Sequence, residues 1–351
     1  MISILKDILP YISGLYTLPW ILVGFVTTIL IARVIGREKT DKIMKKIGLI
    51  LLYFFIPLLV FRVFLDLFET SEIFFVILVL IVIFFMYFIA FVYAKHYADK
   101  QGLKNAKRNL YIKTVLTNQG RSSAFIGSAM MAYWPIEAGI VIALVGIALF
   151  AIIPYVLAHI HKKESEKNGN TREIKALPWY LKLYPWYLII FIISAIIINI
   201  KTGITTESLG DLGIFLKFYT AITIPAALYY VGAGIHPRDL KISELKKLFG
   251  LDRSDENVEH WTWVRNIFIL TVVITPVIFV VIFTPLLLLK IIPSAWFAVI
   301  VINAVLPITS TNMFLLPYGI DWKSTAHSIT WTTIVCVPIV VVLIFIFTVF
   351  F

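Results

Sequence analysis

A chain of 351 residues in which 60% are hydrophobic and only 15% charged, with a mean hydropathy of +0.93, cannot bury its apolar side chains in a soluble core. Charged residues make up about a quarter of a soluble chain, so soluble enzymes, disordered regulators and nucleic-acid binders are excluded. The net charge of +11 then reports loop orientation and anionic lipid headgroups, not nucleic acid.

A membrane-spanning helix takes about 20 mostly apolar residues. Along the chain this predicts ten spans, over 15–34, 46–65, 72–94, 111–133, 136–158, 182–200, 211–235, 264–289, 295–317 and 323–349. The first residues, with Lys6, Asp7, Pro10 and Pro19, lack the pattern of a cleaved signal peptide. Segments such as 73–94 are continuously apolar rather than alternating, which excludes a β-barrel. The expected fold is therefore an all-α polytopic membrane protein.

Basic residues alternate from one connection to the next. Six fall between spans 1 and 2 (Arg33 to Lys46), six between spans 3 and 4 (Lys95 to Lys113), six between spans 5 and 6 (Lys162 to Lys182) and six between spans 7 and 8 (Arg238 to Arg265). With Lys323 these account for 25 of the 31 Lys and Arg residues. The other side carries Asp66, Glu69, Glu72, Glu207 and Asp211. The positive-inside rule puts the basic connections in the cytoplasm and both termini outside, in the plasma membrane. Residues 161–181 are expected to be a cytoplasmic linker, and the mixed-charge stretch 238–260 to contain a short surface helix.

Pro57 and Pro225 sit near the centres of spans 2 and 7, and Pro154 and Pro338 late in spans 5 and 10. The two halves, 1–160 and 182–351, thus read as five-span repeats. An odd number of spans inserts the second repeat upside down, the plan of many secondary transporters, which bind substrate at the repeat interface.

Spans 4 and 9 are interrupted by polar residues at matching places. The first break reads Thr117-Asn118-Gln119-Gly120-Arg121-Ser122-Ser123; the second runs from Asn303 through Pro307 to Thr309-Ser310-Thr311-Asn312. Gly120 loosens a helix and Pro307 removes a backbone donor. Broken helices cradle ligands with their freed backbone groups, whereas intact helices use such residues only to adhere. Arg121 is the sharpest signal, being the one charge placed well inside a span. Either it faces a cavity and pairs with an anionic substrate, or it snorkels to one membrane face. The expected substrate site comprises Asn118, Gln119, Gly120, Arg121, Ser122, Ser123, Asn303, Pro307, Thr309, Ser310, Thr311 and Asn312.

No acidic residue lies mid-span, which predicts transport without obligatory proton exchange. His327 reads as an interfacial or core histidine, and His96, His159, His161, His236 and His260 as surface residues. Cys336 is the only cysteine, so no disulfide, cysteine metal site or bound cofactor is expected. No catalytic dyad or metal-binding set falls within the spans, so the chain is not expected to be an enzyme.

The stretch Leu306-Pro307-Ile308-Thr309-Ser310-Thr311-Asn312, followed by Tyr318-Gly319-Ile320-Asp321, resembles the ninth span of the auxin efflux carrier family of PIN-like transporters. The proline-centred stretch 51–61 is similar to that family's second span, and the layout is similar along nearly the whole chain. The resemblance implies ten helices in two inverted repeats, with helices 4 and 9 crossing near the midplane as the substrate site. It also implies a moving core of spans 3–5 and 8–10 on a scaffold of the others, a homodimer, and export of small organic anions. Asn118-Gln119-Gly120-Arg121 departs from the Asn-Pro-Asn run of plant members, and no long cytosolic loop divides the halves, so the resemblance does not extend to auxin as substrate. A sodium-coupled symporter of the related bile acid carrier type is the alternative, and a channel a more distant one.

Overall fold

The computed structural model describes residue 17 and residues 19–67, 72–168, 178–235, 237, 241–251 and 258–350. Most of the expected N-terminal stretch before span 1, the middle of the 161–181 linker, His236 and parts of the 238–260 connection lie outside the described residues. Those described are almost wholly helical and contain no strand.

In chain order the helices are α1 Trp20–Ile35, α2 Arg37–Asp66, α3 Ile73–Lys100, α4 Asn105–Thr117, α5 Pro135–Lys163 and α6 Trp179–Thr202. They continue as α7 Asp211–Ala233, α8 Ile242–Leu248, α9 Val258–Leu288, α10 Ser294–Val305 and α11 Trp322–Phe350. Seven of these are long and apolar enough to cross a membrane, and α1 and α10 are shorter apolar helices. Large apolar side chains such as Phe74, Ile81 and Phe88 are exposed on α3, as lipid-facing residues are.

Several boundaries differ from expectation, each for a local reason. The basic residues expected in a loop between spans 1 and 2 are instead helical. Only Gly36, at φ +87°, separates α1 from α2. Ion pairs Arg37–Asp41 (3.0 Å) and Lys42–Glu38 (2.7 Å) at four-residue spacing carry that polar end. Helix continues past α5 to Asn168 and resumes at Trp179, so both ends of the expected linker are helical. The short surface helix expected after span 7 is α8.

Three helices widen into a π-turn just before a proline: Leu51–Phe55 before Pro57, Ala148–Ile152 before Pro154, and Leu270–Ile274 before Pro276. A proline ring collides with the carbonyl four residues earlier, here those of Tyr53, Phe150 and Val272, and the wider turn relieves the clash. Helices α7 and α11 pass Pro225 and Pro338 without such a turn. The proline pairs that mark the repeat in sequence are therefore not matched in local geometry.

Helices α1, α2, α6 and α7 pack on one another, as do α3, α4, α9, α10 and α11, while α5 touches both groups. Between α1 and α7 the backbones nearly touch: a Cβ on Gly24 would lie 2.0 Å from the Tyr229 carbonyl oxygen, and one on Gly232 1.8 Å from that of Ile21.

Candidate functional site

The two interrupted helices meet at their breaks. Helix α10 stops because Leu306 precedes a proline, which disfavours helical geometry and turns Leu306 to φ −51°, ψ 141°. Helix α4 stops at Thr117, and its last turn tightens, with the Gly120 N–H bonding the Thr117 carbonyl at 3.1 Å. Beyond these ends the two chains run antiparallel, with Arg121 opposite Ile308. Ser122 N–H donates to Pro307 O and Thr309 N–H to Gly120 O, both at 2.9 Å. Each break thus satisfies backbone groups that the other frees. Short 3₁₀ helices, Gly127–Ala132 and Ser310–Tyr318, follow the two breaks, and Thr309 Oγ1 accepts from Thr311 N–H at the start of the second.

The structure brings all twelve expected residues together. Ser123 Oγ donates to Asn303 Oδ1 at 2.9 Å, joining the first break to α10. Asn312 Nδ2 reaches Gly120 O at 3.4 Å, and a Cβ on residue 120 would sit 2.3 Å from Asn312 Oδ1, so any larger residue there must displace the Asn312 side chain. The hydroxyls of Thr309 and Thr311 bond at 2.9 Å, and Gln119 Oε1 accepts from Arg121 Nη2 at 3.3 Å. Ser310 is half-buried; the polar side chains of the other site residues are buried.

Arg121 is 2% exposed, so it does not snorkel. Its other bond is Nη1 to the Leu306 carbonyl at 3.4 Å, Nε has no partner, and no acid pairs with it among the described residues. The cavity against it, lined by Ala124, Leu149, Tyr184, Thr309 and Thr311 among others, measures about 20 Å³. That is room for about one water molecule, not for an organic anion. Thr117 Oγ1, Asn118 Oδ1, Gln119 Nε2 and Asn312 Oδ1 are also buried without a partner. The crossing is thus closed and polar, with a cation and several donors and acceptors unsatisfied.

Sequence reasoning missed the third wall of this site. Thr325, Ser328 and Thr332, all fully buried, form a stripe on α11. Thr325 Oγ1 accepts from Asn118 Nδ2 at 3.1 Å and Thr332 Oγ1 from Ile308 N–H at 3.2 Å. Hydroxyl residues recurring at helical spacing in the first half of this helix were the available signal.

Two charge assignments change. Lys113, counted among the loop cations, is 3% exposed on α4, 3.3 Å from the Tyr318 carbonyl and 3.4 Å from His161 Nδ1. Helix α4 starts at Asn105, six residues before the expected span, which draws Lys113 inside. His260 and His327, expected apart, lie with ring centroids 5.1 Å apart in an open cleft of about 540 Å³ at the start of α4, α9 and α11. Asp321 is there too, accepting from Ser324 N–H at 2.8 Å as the cap of α11. Burial alone pushes its carboxyl up, but the nearby His260 imidazole and the hydrogen bonds from Ser324 outweigh that and bring it down to about 2. No protein-family model matches this chain, and no curated protein matches it.

Proposed function

We propose that the chain is a ten-span secondary transporter, built as two inverted five-helix repeats in the plasma membrane with both termini outside, that moves a small organic anion by alternating access. The substrate site is the crossing of the two breaks, and its centre is Arg121. The observation that carries this reading is a fully buried guanidinium with no acidic partner among the described residues, set among unpaired polar atoms where two broken helices pair. A carboxylate supplies the missing counter-ion, and the planar fork of arginine matches it with two parallel bonds. At about 20 Å³ the cavity beside Arg121 is too small for an organic anion, so this arrangement is a closed one. Loading requires the α3, α4, α9, α10 and α11 group to shift against α1, α2, α6 and α7, and α5, in contact with both, is the pivot. The resemblance to auxin efflux carriers supports a moving group against a scaffold, although it counts span 5, here α5, with the moving group; it adds the homodimer and the outward direction.

A second reading is a sodium-coupled symporter. The unpaired oxygens Asn118 Oδ1, Asn312 Oδ1, Thr117 Oγ1 and Ser328 Oγ favour it, because a sodium ion takes oxygen ligands of this kind.

The test is a thermal-shift screen of small mono- and dicarboxylates on purified protein, followed by calorimetry of the ligands found. Replacing Arg121 with Lys weakens binding and replacing it with Ala weakens it more, by about 10- to 150-fold for one charge-assisted contact. Asn118→Ala and Asn312→Ala weaken it less. An Arg121→Ala protein that binds a carboxylate as tightly as the parent overturns the reading; stabilisation that appears only with sodium present favours the symporter.

A further inference from the structure

The cleft at the start of α4, α9 and α11 is joined to the crossing by a continuous chain of hydrogen bonds. His260 Nδ1, on α9, lies 3.0 Å from Ser324 Oγ and 3.9 Å from Asp321 Oδ2. Asp321 takes the Ser324 N–H on Oδ2. Its own N–H donates to Thr114 Oγ1 at 2.9 Å, and its carbonyl accepts from Thr325 Oγ1 at 2.8 Å. Thr325 Oγ1 in turn accepts from Asn118 Nδ2, which also bonds the Thr114 carbonyl at 2.8 Å. Asp321 is therefore the hub between an imidazole in the cleft and the first residue of the α4 break.

We propose that His260 is a proton-binding site of this protein and that its charge state is transmitted through Asp321 to Asn118 at the crossing. The inference concerns the cleft and the crossing alone and holds whatever solute the crossing carries.

His260 Nε2 is buried without a partner, so a neutral ring fits the observed arrangement with Nδ1 on Ser324. Protonation places a buried N–H on Nε2 that nothing accepts, which disfavours that arrangement. It also creates a cation 3.9 Å from the Asp321 carboxylate. That attraction draws the charged ring toward Asp321, where it leaves Ser324 Oγ and competes with Ser324 N–H for Oδ2. The cap of α11 then loosens, and the Asp321 bonds to Thr114 and Thr325 loosen with it.

The surrounding charges single out this imidazole among the groups at the cleft. Glu259, beside it on α9, is held by Lys107 of α4 at 2.6 Å, and Glu244 of α8 by Lys247 at 3.4 Å. Lys323 of α11 also lines the cleft, and His327 of the same helix meets His260 edge to face. Asp321, brought down to about 2, is anionic near neutral pH, and imidazole is the side chain whose ordinary range lies there.

Hydrogen exchange of the full chain in lipid nanodiscs, at pH 7.5 and 5.5 and corrected for chemical exchange rate, tests this without any ligand. Peptides covering 114–121 and 321–328 exchange faster at pH 5.5 in the parent protein. A difference of one unit in proton affinity between the two arrangements shifts the opening equilibrium by up to about tenfold. The response disappears in His260→Gln and is kept in His327→Gln. If His260→Gln fails to fold, His260→Asn reads the same outcome. No response in the parent, a response kept in His260→Gln, or one lost only in His327→Gln overturns the proposal. Because no carboxylate is added, failure here leaves the anion reading intact, and failure of the carboxylate screen leaves this one intact.

Discussion

Replacing Arg121 with methionine separates the cost of the buried charge from its use. The guanidinium makes two bonds, 3.4 Å to Leu306 O and 3.3 Å to Gln119 Oε1, both at the long limit of a hydrogen bond. Together they contribute about 1–2 kcal/mol, since a charge-assisted bond of good geometry is worth about 1.5–3 kcal/mol. Against them stands a guanidinium 2% exposed, beside room for one water and with no acidic partner. Placing an arginine at such depth costs about 2.5–3.5 kcal/mol even on the mildest scale. Methionine fills similar volume, removes the charge, and leaves one carbonyl and one amide oxygen without their donor. The ligand-free Arg121→Met protein is therefore more stable than the parent by about 1 kcal/mol, as replacement of buried charges by apolar side chains often is. Thermal unfolding in one detergent reads this as a rise in Tm of about 2–3 °C. On the proposed function, the same variant binds carboxylates more weakly than the parent, read by calorimetry. A fall in Tm of that size refutes the reasoning: the guanidinium would then be a structural tie between the breaks.

Gly120→Ala drives a Cβ to 2.3 Å from Asn312 Oδ1 and 3.0 Å from Leu149 Cδ1, and destabilises the protein by about 1–3 kcal/mol, read as a lower Tm. A Tm within a degree of the parent would mean that the crossing yields easily. Asp321 has its pKa lowered in the fold, so its stabilisation is complete above about pH 4 and is lost as pH falls through about 2. Asp321→Asn removes that contribution, about 1 kcal/mol together with part of the α11 cap, and flattens the loss of stability between pH 4 and 2 in acid-unfolding curves. For topology, single cysteines at the exposed positions Lys246 and Glu207 in a Cys336→Ala background are treated on intact cells with an impermeant thiol reagent. Glu207→Cys is labelled and Lys246→Cys is not; the reverse inverts the proposed orientation.

Much that depends on composition and on local backbone chemistry was legible in the sequence. Hydropathy placed the seven long apolar helices of the described residues, though not their ends, because an apolar run of membrane length has few other states. Gly120 and Pro307 located both breaks, because helix interruption is decided within a few residues of its cause. Arg121 stood out because a charge inside an apolar run is costly wherever it lies. Proline alone could not show which helices would widen. Pro57, Pro154 and Pro276 follow π-turns while Pro225 and Pro338 do not, so the packing around each helix selects how the clash is relieved. Nor could linear sequence show what each break would meet. The pairing of Arg121 with Ile308 joins residues 187 apart, and the wall of Thr325, Ser328 and Thr332 is supplied by a third helix. His260 and His327 read separately as surface and interface residues. They become a cluster with Asp321 only because α9 and α11 start side by side, and proximity of that kind is a property of packing.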